Sequence, residues 1–223
     1  MDPMLEHERR CIAATTGRAD HELNYINAVE AVPEPEVVTE FDAVIIGGSG
    51  DFSVVERDQP FLDPTIALLQ RLVDVGLPIF GCCYGFQLLV EALGGKVVRD
   101  AENAEIGSYE VELTEAGVGD PLFGQLPEVF VAQMGHFDRA ETLPNGVQNL
   151  ATSALCTYQA MRVPEKPIWA TQFHPELDQR GNRDRCLAYI KEFGNIDGYE
   201  ALPSPEALTI LPKFLHLIAS NDF

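Results

Sequence analysis

Cys83 stands in the run Pro78-Ile79-Phe80-Gly81-Cys82-Cys83-Tyr84-Gly85-Phe86-Gln87-Leu88-Leu89, with Gly81 and Gly85 placed symmetrically about it. An apolar stretch, Leu77 to Phe80, leads in. An amphipathic stretch, Phe86 to Leu93, leads out and stops at Gly94-Gly95. The pattern predicts strand, sharp turn and helix, the layout of a nucleophile elbow with cysteine in place of serine. The glycines suit a turn too tight for Cβ atoms at its flanks. A thiolate at the bend would face the unpaired N–H groups and partial positive charge of a helix N-terminus. Cys82 lacks the symmetric glycines and is expected to be a buried neighbour at the strand end. The same run also reads as a core strand followed by a core helix, with both cysteines as small hydrophobes. Residues elsewhere must decide.

A cysteine nucleophile needs a base, and the base needs a third group to fix its tautomer. Gln172-Phe173-His174-Pro175-Glu176 closes the apolar run Ile168 to Phe173. Residues two apart on extended chain project the same way, and Pro175 disfavours a helical conformation at His174. His174 and Glu176 can therefore act as base and orienting carboxylate. Alone, His174 would read as a satisfied histidine at a strand end. A third piece is Gly47-Gly48-Ser49-Gly50, which follows the apolar run Phe41 to Ile46. It falls at the C-terminal end of an expected parallel strand, where open α/β sheets place ligands. The backbone amides of this glycine loop could receive a developing oxyanion, with the Tyr84 amide as second donor. A dinucleotide reading of this loop is poor: the final small residue is missing and no helix opens directly from it.

The elements that must position these groups follow from periodicity. Helices are expected over Met4 to Thr15, Pro60 to Val75, Asp184 to Phe193 and Leu208 to Ala219, and strands over Leu23 to Val29 and Phe41 to Ile46. Short strands separated by turn signals follow the elbow: Lys96 to Arg99, Ser108 to Leu113, Val129 to Gln133, Val147 to Thr152, Thr157 to Val163 and Ile168 to Phe173. Apolar strands alternating with helices predict an α/β fold. The expectation is three layers, a mostly parallel sheet with helices on both faces, plus a small antiparallel β region. One domain over residues 1–223 is expected, with a motif-bearing core at about 40–193 and a C-terminal helix at about 205–220.

Composition removes several classes of function. The formal net charge of −20 repels phosphates, so neither nucleic acid nor an anionic membrane is an expected partner. No run of about 18 apolar residues exists to span a bilayer, and the N-terminus carries no secretory pattern. The five cysteines, at 11, 82, 83, 156 and 186, form no CxxC pair or zinc spacing; no metal and no cofactor are expected. Their odd number and scatter suit free thiols in a reducing cytoplasm.

Taken together, Gly81-Cys82-Cys83-Tyr84-Gly85-Phe86-Gln87, Gly47-Gly48-Ser49 and His174-Pro175-Glu176 resemble, in type and order, the elbow, oxyanion loop and late H-P-E of class I (triad-type) glutamine amidotransferases. The glutaminase part of GMP synthase is the nearest likeness. The match covers roughly residues 40 to 193. The resemblance implies a flavodoxin-like fold and hydrolysis of the side-chain amide of glutamine through a thioester on Cys83. His174 and Glu176 would complete the triad, and Gly48 and Tyr84 would form the oxyanion hole. It also implies that Gln87 borders the substrate, where the bland reading is a polar residue on a helix's first turn. Met134-Gly135-His136-Phe137-Asp138 resembles the family's S-H-x-D segment, which helps hold the substrate's α-amino and α-carboxylate groups. Glycine replaces the serine there, and His136 reads equally as a loop histidine. Ser49 stands where the family often has proline. The family's fold begins with a central strand, whereas this chain begins near the helix after it, so either a strand lies upstream or the sheet is rearranged. No P-loop is present, so the ammonia acceptor is expected on a separate synthase subunit. Two alternatives stay open: a hydrolase of γ-glutamyl amides or peptides with the same triad, and a catalytically silent relative that binds a ligand or partner.

Overall fold

The structure, a computed structural model, describes residues 4–19, 22–189, 199, 202–221 and 223. Seven strands form one sheet in the order β1-β2-β9-β8-β7-β4-β5. They are β1 Val44–Ile46, β2 Ile79–Cys82, β4 Glu105–Leu113, β5 Val129–His136, β7 Gln148–Thr152, β8 Ala160–Val163 and β9 Ile168–Thr171. β3 (Lys96–Arg99) and β6 (Asp138–Thr142) make a separate antiparallel ribbon. The longer helices are α1 Leu5–Thr16, α3 Leu62–Val75, α4 Tyr84–Ala92, α6 Gln179–Ala188 and α7 Ile210–Ser220. Two short ones are α2 Pro35–Val38 and α5 Glu115–Val118.

Alternation along the central strands builds two cores. Phe80 and Cys82 of β2 and Trp169 of β9 face one side, against Ile210, Leu211 and Phe214 of α7. Ile79, Ile168 and Ala170 face the other, against Leu62, Leu69 and Leu72 of α3 and Phe86 and Leu89 of α4. The Phe214 ring stands edge-on to Phe80 at 5.4 Å and to Trp169 at 6.0 Å, a favourable aromatic geometry. The buried indole N–H of Trp169 donates to Asp120 Oδ2 at 3.1 Å. The three-layer α/β architecture with helices on both faces is as expected.

The balance within the sheet is not. Only β1-β2-β9 run parallel, and the β9-β8-β7-β4-β5 side is antiparallel. The sheet is therefore mixed, and the antiparallel region is larger than a mostly parallel reading allows. Of the short strands after the elbow, all but Lys96–Arg99 belong to the main sheet, whereas Lys96–Arg99 is β3 of the ribbon. Leu23 to Val29 is loop, not strand: the Asn27 side chain accepts from Val29 N, and the Asn27 carbonyl accepts from Glu30 N and Ala31 N, which turns the chain. β1 is the sheet's edge, pairing only with β2, and no strand precedes α1 among the described residues. α6 opens earlier than expected because the Asp178 side chain caps it, accepting from Gly181 N at 2.7 Å. The end expected for this helix, up to Phe193, lies outside the described residues. α7 closes on Asn221 in the left-handed region, φ 61°.

Candidate active site

The elbow forms where β2 hands over to α4. Cys83 sits between them with φ 51° and ψ −99°, a strained backbone for a non-glycine residue. The strain is held by close packing. A Cβ on Gly81 would lie 2.8 Å from the backbone of Gly85, and one on Gly85 would lie 2.4 Å from the Ile46 carbonyl oxygen. The Cys83 N–H donates to the Thr171 carbonyl at 2.7 Å, which ties the bend to β9. Cys82 is the last residue of β2, and its side chain is part of the core on the α7 side. Burial pushes its thiol well above the usual cysteine range, which suits a packing residue.

β9 delivers the second group. Beyond Thr171 the chain bends at Gln172 and Phe173, and His174 N–H donates to the Gln133 carbonyl of β5 at 2.9 Å. His174 Nδ1 and Glu176 Oε1 are 2.7 Å apart, and both side chains are buried. With Nδ1 committed to the carboxylate, the other ring nitrogen is left for Cys83, which shares the surroundings of Gly48 with the imidazole and acts on its charge. Burial opposes charge on His174, but Glu176 and the Cys83 sulfur outweigh it and push its pKa up to about 10. Burial likewise opposes charge on Glu176, yet His174 and Arg185 hold its carboxyl well below the usual range. An imidazolium between carboxylate and sulfur is the arrangement that stabilises a thiolate.

Gly48 lies against this pair. A Cβ there would be 2.9 Å from His174 Cε1 and 3.7 Å from Cys83 Cβ. Its N–H, however, donates to Glu8 Oε1 of α1 at 2.8 Å. Tyr84 is the first residue of α4, where backbone N–H groups have no partner within the helix.

A cleft of about 160 Å³ opens beside the elbow, with Cys83, Gln87, Arg99, His136 and Asp138 among its walls. Gln87 Nε2 donates to the Asp138 carbonyl at 2.9 Å. His136 Nε2 is 3.1 Å from Glu105 Oε2, and the buried Glu105 also accepts from Ser153 Oγ at 2.6 Å and from Gln159 Nε2 at 2.5 Å. All seven residues singled out from the sequence thus converge on one rim of the sheet.

Several neighbours were not legible in advance. Arg185 Nη1 lies 3.2 Å from both Glu176 Oε1 and His174 Nδ1, but nothing in the α6 sequence sets it apart from Arg180 or Arg183. Gln172 Nε2 approaches Cys83 Sγ at 3.7 Å; its place immediately before Phe173-His174 was the available signal. Glu8 reads in sequence as one of two acidic residues on an ordinary helix.

Comparison with known proteins gives a consistent answer. The family model for class I glutamine amidotransferases matches residues 11–190. GMP synthase [glutamine-hydrolyzing] of Lactobacillus delbrueckii subsp. bulgaricus is 38% identical over 133 residues, 60% of this chain and 24% of that protein. The Thermosipho africanus protein of the same description is 36% identical over 145 residues, covering 65% and 26%. The chain therefore spans about a quarter of the length of these relatives. Among solved structures, a glutamine amidotransferase from Thermotoga maritima superposes with a TM-score of 0.74 at 21% identity, covering 97% of this chain and 94% of that one. One from Methylobacillus flagellatus gives 0.71 at 21%, covering 95% and 87%. The structural likeness speaks for the fold and the family match for descent, and on the two together the chain belongs to the class I glutamine amidotransferases.

Proposed function

We propose that this chain hydrolyses the side-chain amide of glutamine and releases ammonia for a separate synthase subunit. The observation that carries the reading is the buried line of Glu176, His174 and Cys83, with the cysteine strained outward at the mouth of a cleft. The relatives named as glutamine-hydrolysing GMP synthases support it.

In this mechanism the Cys83 thiolate attacks the side-chain carbonyl carbon of glutamine. The C=O electrons move to oxygen, and the Gly48 and Tyr84 amides hold the oxyanion. His174 Nε2–H gives its proton to the amide nitrogen, the C–N bond breaks, and ammonia leaves a glutamyl thioester. The neutral imidazole then takes a proton from water, whose oxygen attacks the thioester. Collapse releases glutamate and restores the thiolate–imidazolium pair. Glu176 stays ionised throughout and fixes which ring nitrogen faces the sulfur.

Ammonia release from L-glutamine, measured with Cys83→Ala and Cys82→Ala, tests the reading. Loss of turnover in the first with most retained in the second is expected. The reverse would reassign the nucleophile. Glutamate release from γ-glutamyl amides in a protein that ignores free glutamine would replace the reading with γ-glutamyl hydrolysis.

A further inference from the structure

We propose that Arg99 is the specificity-determining residue that anchors the free α-carboxylate of the substrate, restricting the cleft to α-amino acids. The inference rests on the glutaminase reading of the same cleft. Arg99 is the one lysine or arginine among the described residues that line it, in a chain of net charge −20. Its guanidinium lies across the Phe137 ring at 5.3 Å, which limits where it can point. Its two carboxylate neighbours, Asp138 Oδ1 and Glu56 Oε1, are at 3.7 and 3.8 Å, longer than a hydrogen bond. Its planar donors therefore remain available for a bidentate carboxylate. The Asp138 Oδ1 that Arg99 approaches is buried and has no hydrogen-bond partner among the described residues. A buried acceptor in that state is costly unless something fills it. A zwitterion answers both needs: its ammonium meets the Asp138 carboxylate while its carboxylate meets Arg99. Neither a peptide-bonded glutamine nor a simple amide offers that pair of charges.

Calorimetric binding to the Cys83→Ala protein tests this without requiring turnover. The probes are L-glutamine and 4-aminobutanamide, which keeps the ammonium and the side-chain amide but lacks the carboxylate. L-glutamine should bind about 10- to 100-fold more tightly, the range expected for a charge-assisted contact. Arg99→Gln should bring the two ligands to about the same affinity, and Arg99→Lys should recover part of the difference. In the intact Cys83 enzyme, Arg99→Gln should raise KM by a similar factor while kcat changes little, because the contact is the same in ground and transition states. Turnover by the wild type with KM unchanged in Arg99→Gln overturns the anchor and leaves the glutaminase reading standing. Arg99-dependent binding of L-glutamine without turnover in either the wild type or the Glu8→Ala protein supports the anchor and overturns the glutaminase reading. Binding of neither ligand overturns both.

A separate observation, the Glu8 contact, carries a second inference: we infer that α1 is an internal stopper that withholds the Gly48 amide from the oxyanion. Glu8 Oε1 takes that amide at 2.8 Å, beside Cys83 and His174. The helix that brings it is lightly held. Ile12 is its one buried residue, and its other ties include Thr15 Oγ1 donating to the Glu176 carbonyl at 3.1 Å and Glu8 facing Arg185 at 3.9 Å. Burial raises the Glu8 carboxyl above its ordinary range, so the contact holds an unfavourably placed charge. Turnover requires α1 to shift.

The probe is 4-nitrophenyl acetate. The Cys83 thiolate attacks its acetyl carbon, an oxyanion forms, the C–O bond breaks, and nitrophenolate leaves an acetyl thioester. Iodoacetamide alkylates the same sulfur by displacement and needs no oxyanion hole. Glu8→Ala should speed the nitrophenolate burst by about 10-fold or more, a fraction of what one oxyanion donor supplies. Iodoacetamide should react at an unchanged rate. Glu8→Gln, which keeps an acceptor without charge, should fall between and guards against a folding defect. An unchanged burst overturns the inference. So does equal acceleration of both probes, which would make α1 a mere barrier to entry.

Discussion

Glu176 and His174 show how much a pair of residues can disclose from sequence and how much it cannot. Their spacing of two, with proline between, was enough to predict that they project together, and they lie 2.7 Å apart. Elbow glycines and a flanked cysteine were equally legible, because each answers a local steric demand. Arg185 was not, because its importance comes from a long-range approach to Glu176 at 3.2 Å that no local pattern encodes. The pair's electrostatics make a prediction at this scale. His174 is raised from its ordinary 6.5 to about 10. Between those values the folded state holds a proton that the unfolded state has lost. Its contribution is therefore fully present below about pH 6.5 and disappears as pH rises toward about 10. Glu176 is lowered from 4.5 to about 2, so its contribution is present above about pH 4.5 and disappears as pH falls toward about 2. Urea midpoints across this range should show a plateau with a fall on each flank. Glu176→Gln removes the anion behind both shifts and should flatten both flanks relative to wild type. A variant that kept the full alkaline decline would show that Glu176 is not what holds the proton on His174.

At the level of elements, the site depends on how tightly α4 is pressed onto β1 and β2. The sequence announced the strand–turn–helix unit because its apolar lead-in, glycines and helix stop are all local signals. It did not announce that the chain pairs β9 with β2 on one side and β8 on the other, or that antiparallel pairings outnumber parallel ones in the main sheet. Such partners are chosen by non-local packing of residues like Trp169 and Phe173, and short apolar strands look alike. The Leu23 to Val29 segment shows the opposite error, where β-rich composition was overruled by the turn-forming Asn27. Gly85→Ala measures the tightness of the elbow. The added Cβ would meet the Ile46 carbonyl oxygen at 2.4 Å, backbone on both sides, so β1 or α4 must move. A loss of roughly 2–4 kcal/mol in unfolding free energy is expected, in the range for overpacking and backbone displacement, with turnover lost as well. Gly119→Ala is the control: its Cβ would find ordinary contacts at 3.7 Å, and its stability should change by less than about 1 kcal/mol. Equal effects of the two substitutions would mean the elbow has slack.

For the molecule as a whole the dominant fact is charge. Thirty-five acidic side chains face 15 basic ones. A compact chain of this length has a radius of gyration of about 17 Å, while the screening length is about 30 Å at 0.01 M salt and about 3 Å at 1 M. At low salt every carboxylate therefore feels most of the others, and the folded state concentrates a repulsion that the expanded chain relieves. Attractive surface pairs offset little of it: Arg18–Glu22 and Lys96–Glu141 are both largely exposed, where such pairs contribute about 0–1 kcal/mol each. Adding sodium chloride from about 0.01 to 0.5 M should screen more repulsion than attraction and raise the melting temperature by a few degrees. A melting temperature that fell with salt would mean that the attractive pairs outweigh the excess of like charge. The same field bears on the proposed synthase partner. An acidic surface selects a basic docking face and speeds the encounter at low salt, so the rate of association should decline with the same salt that stabilises the isolated chain. Stability and docking should thus respond to salt in opposite directions, which a melting curve and an association rate measured on one protein in one buffer series would separate.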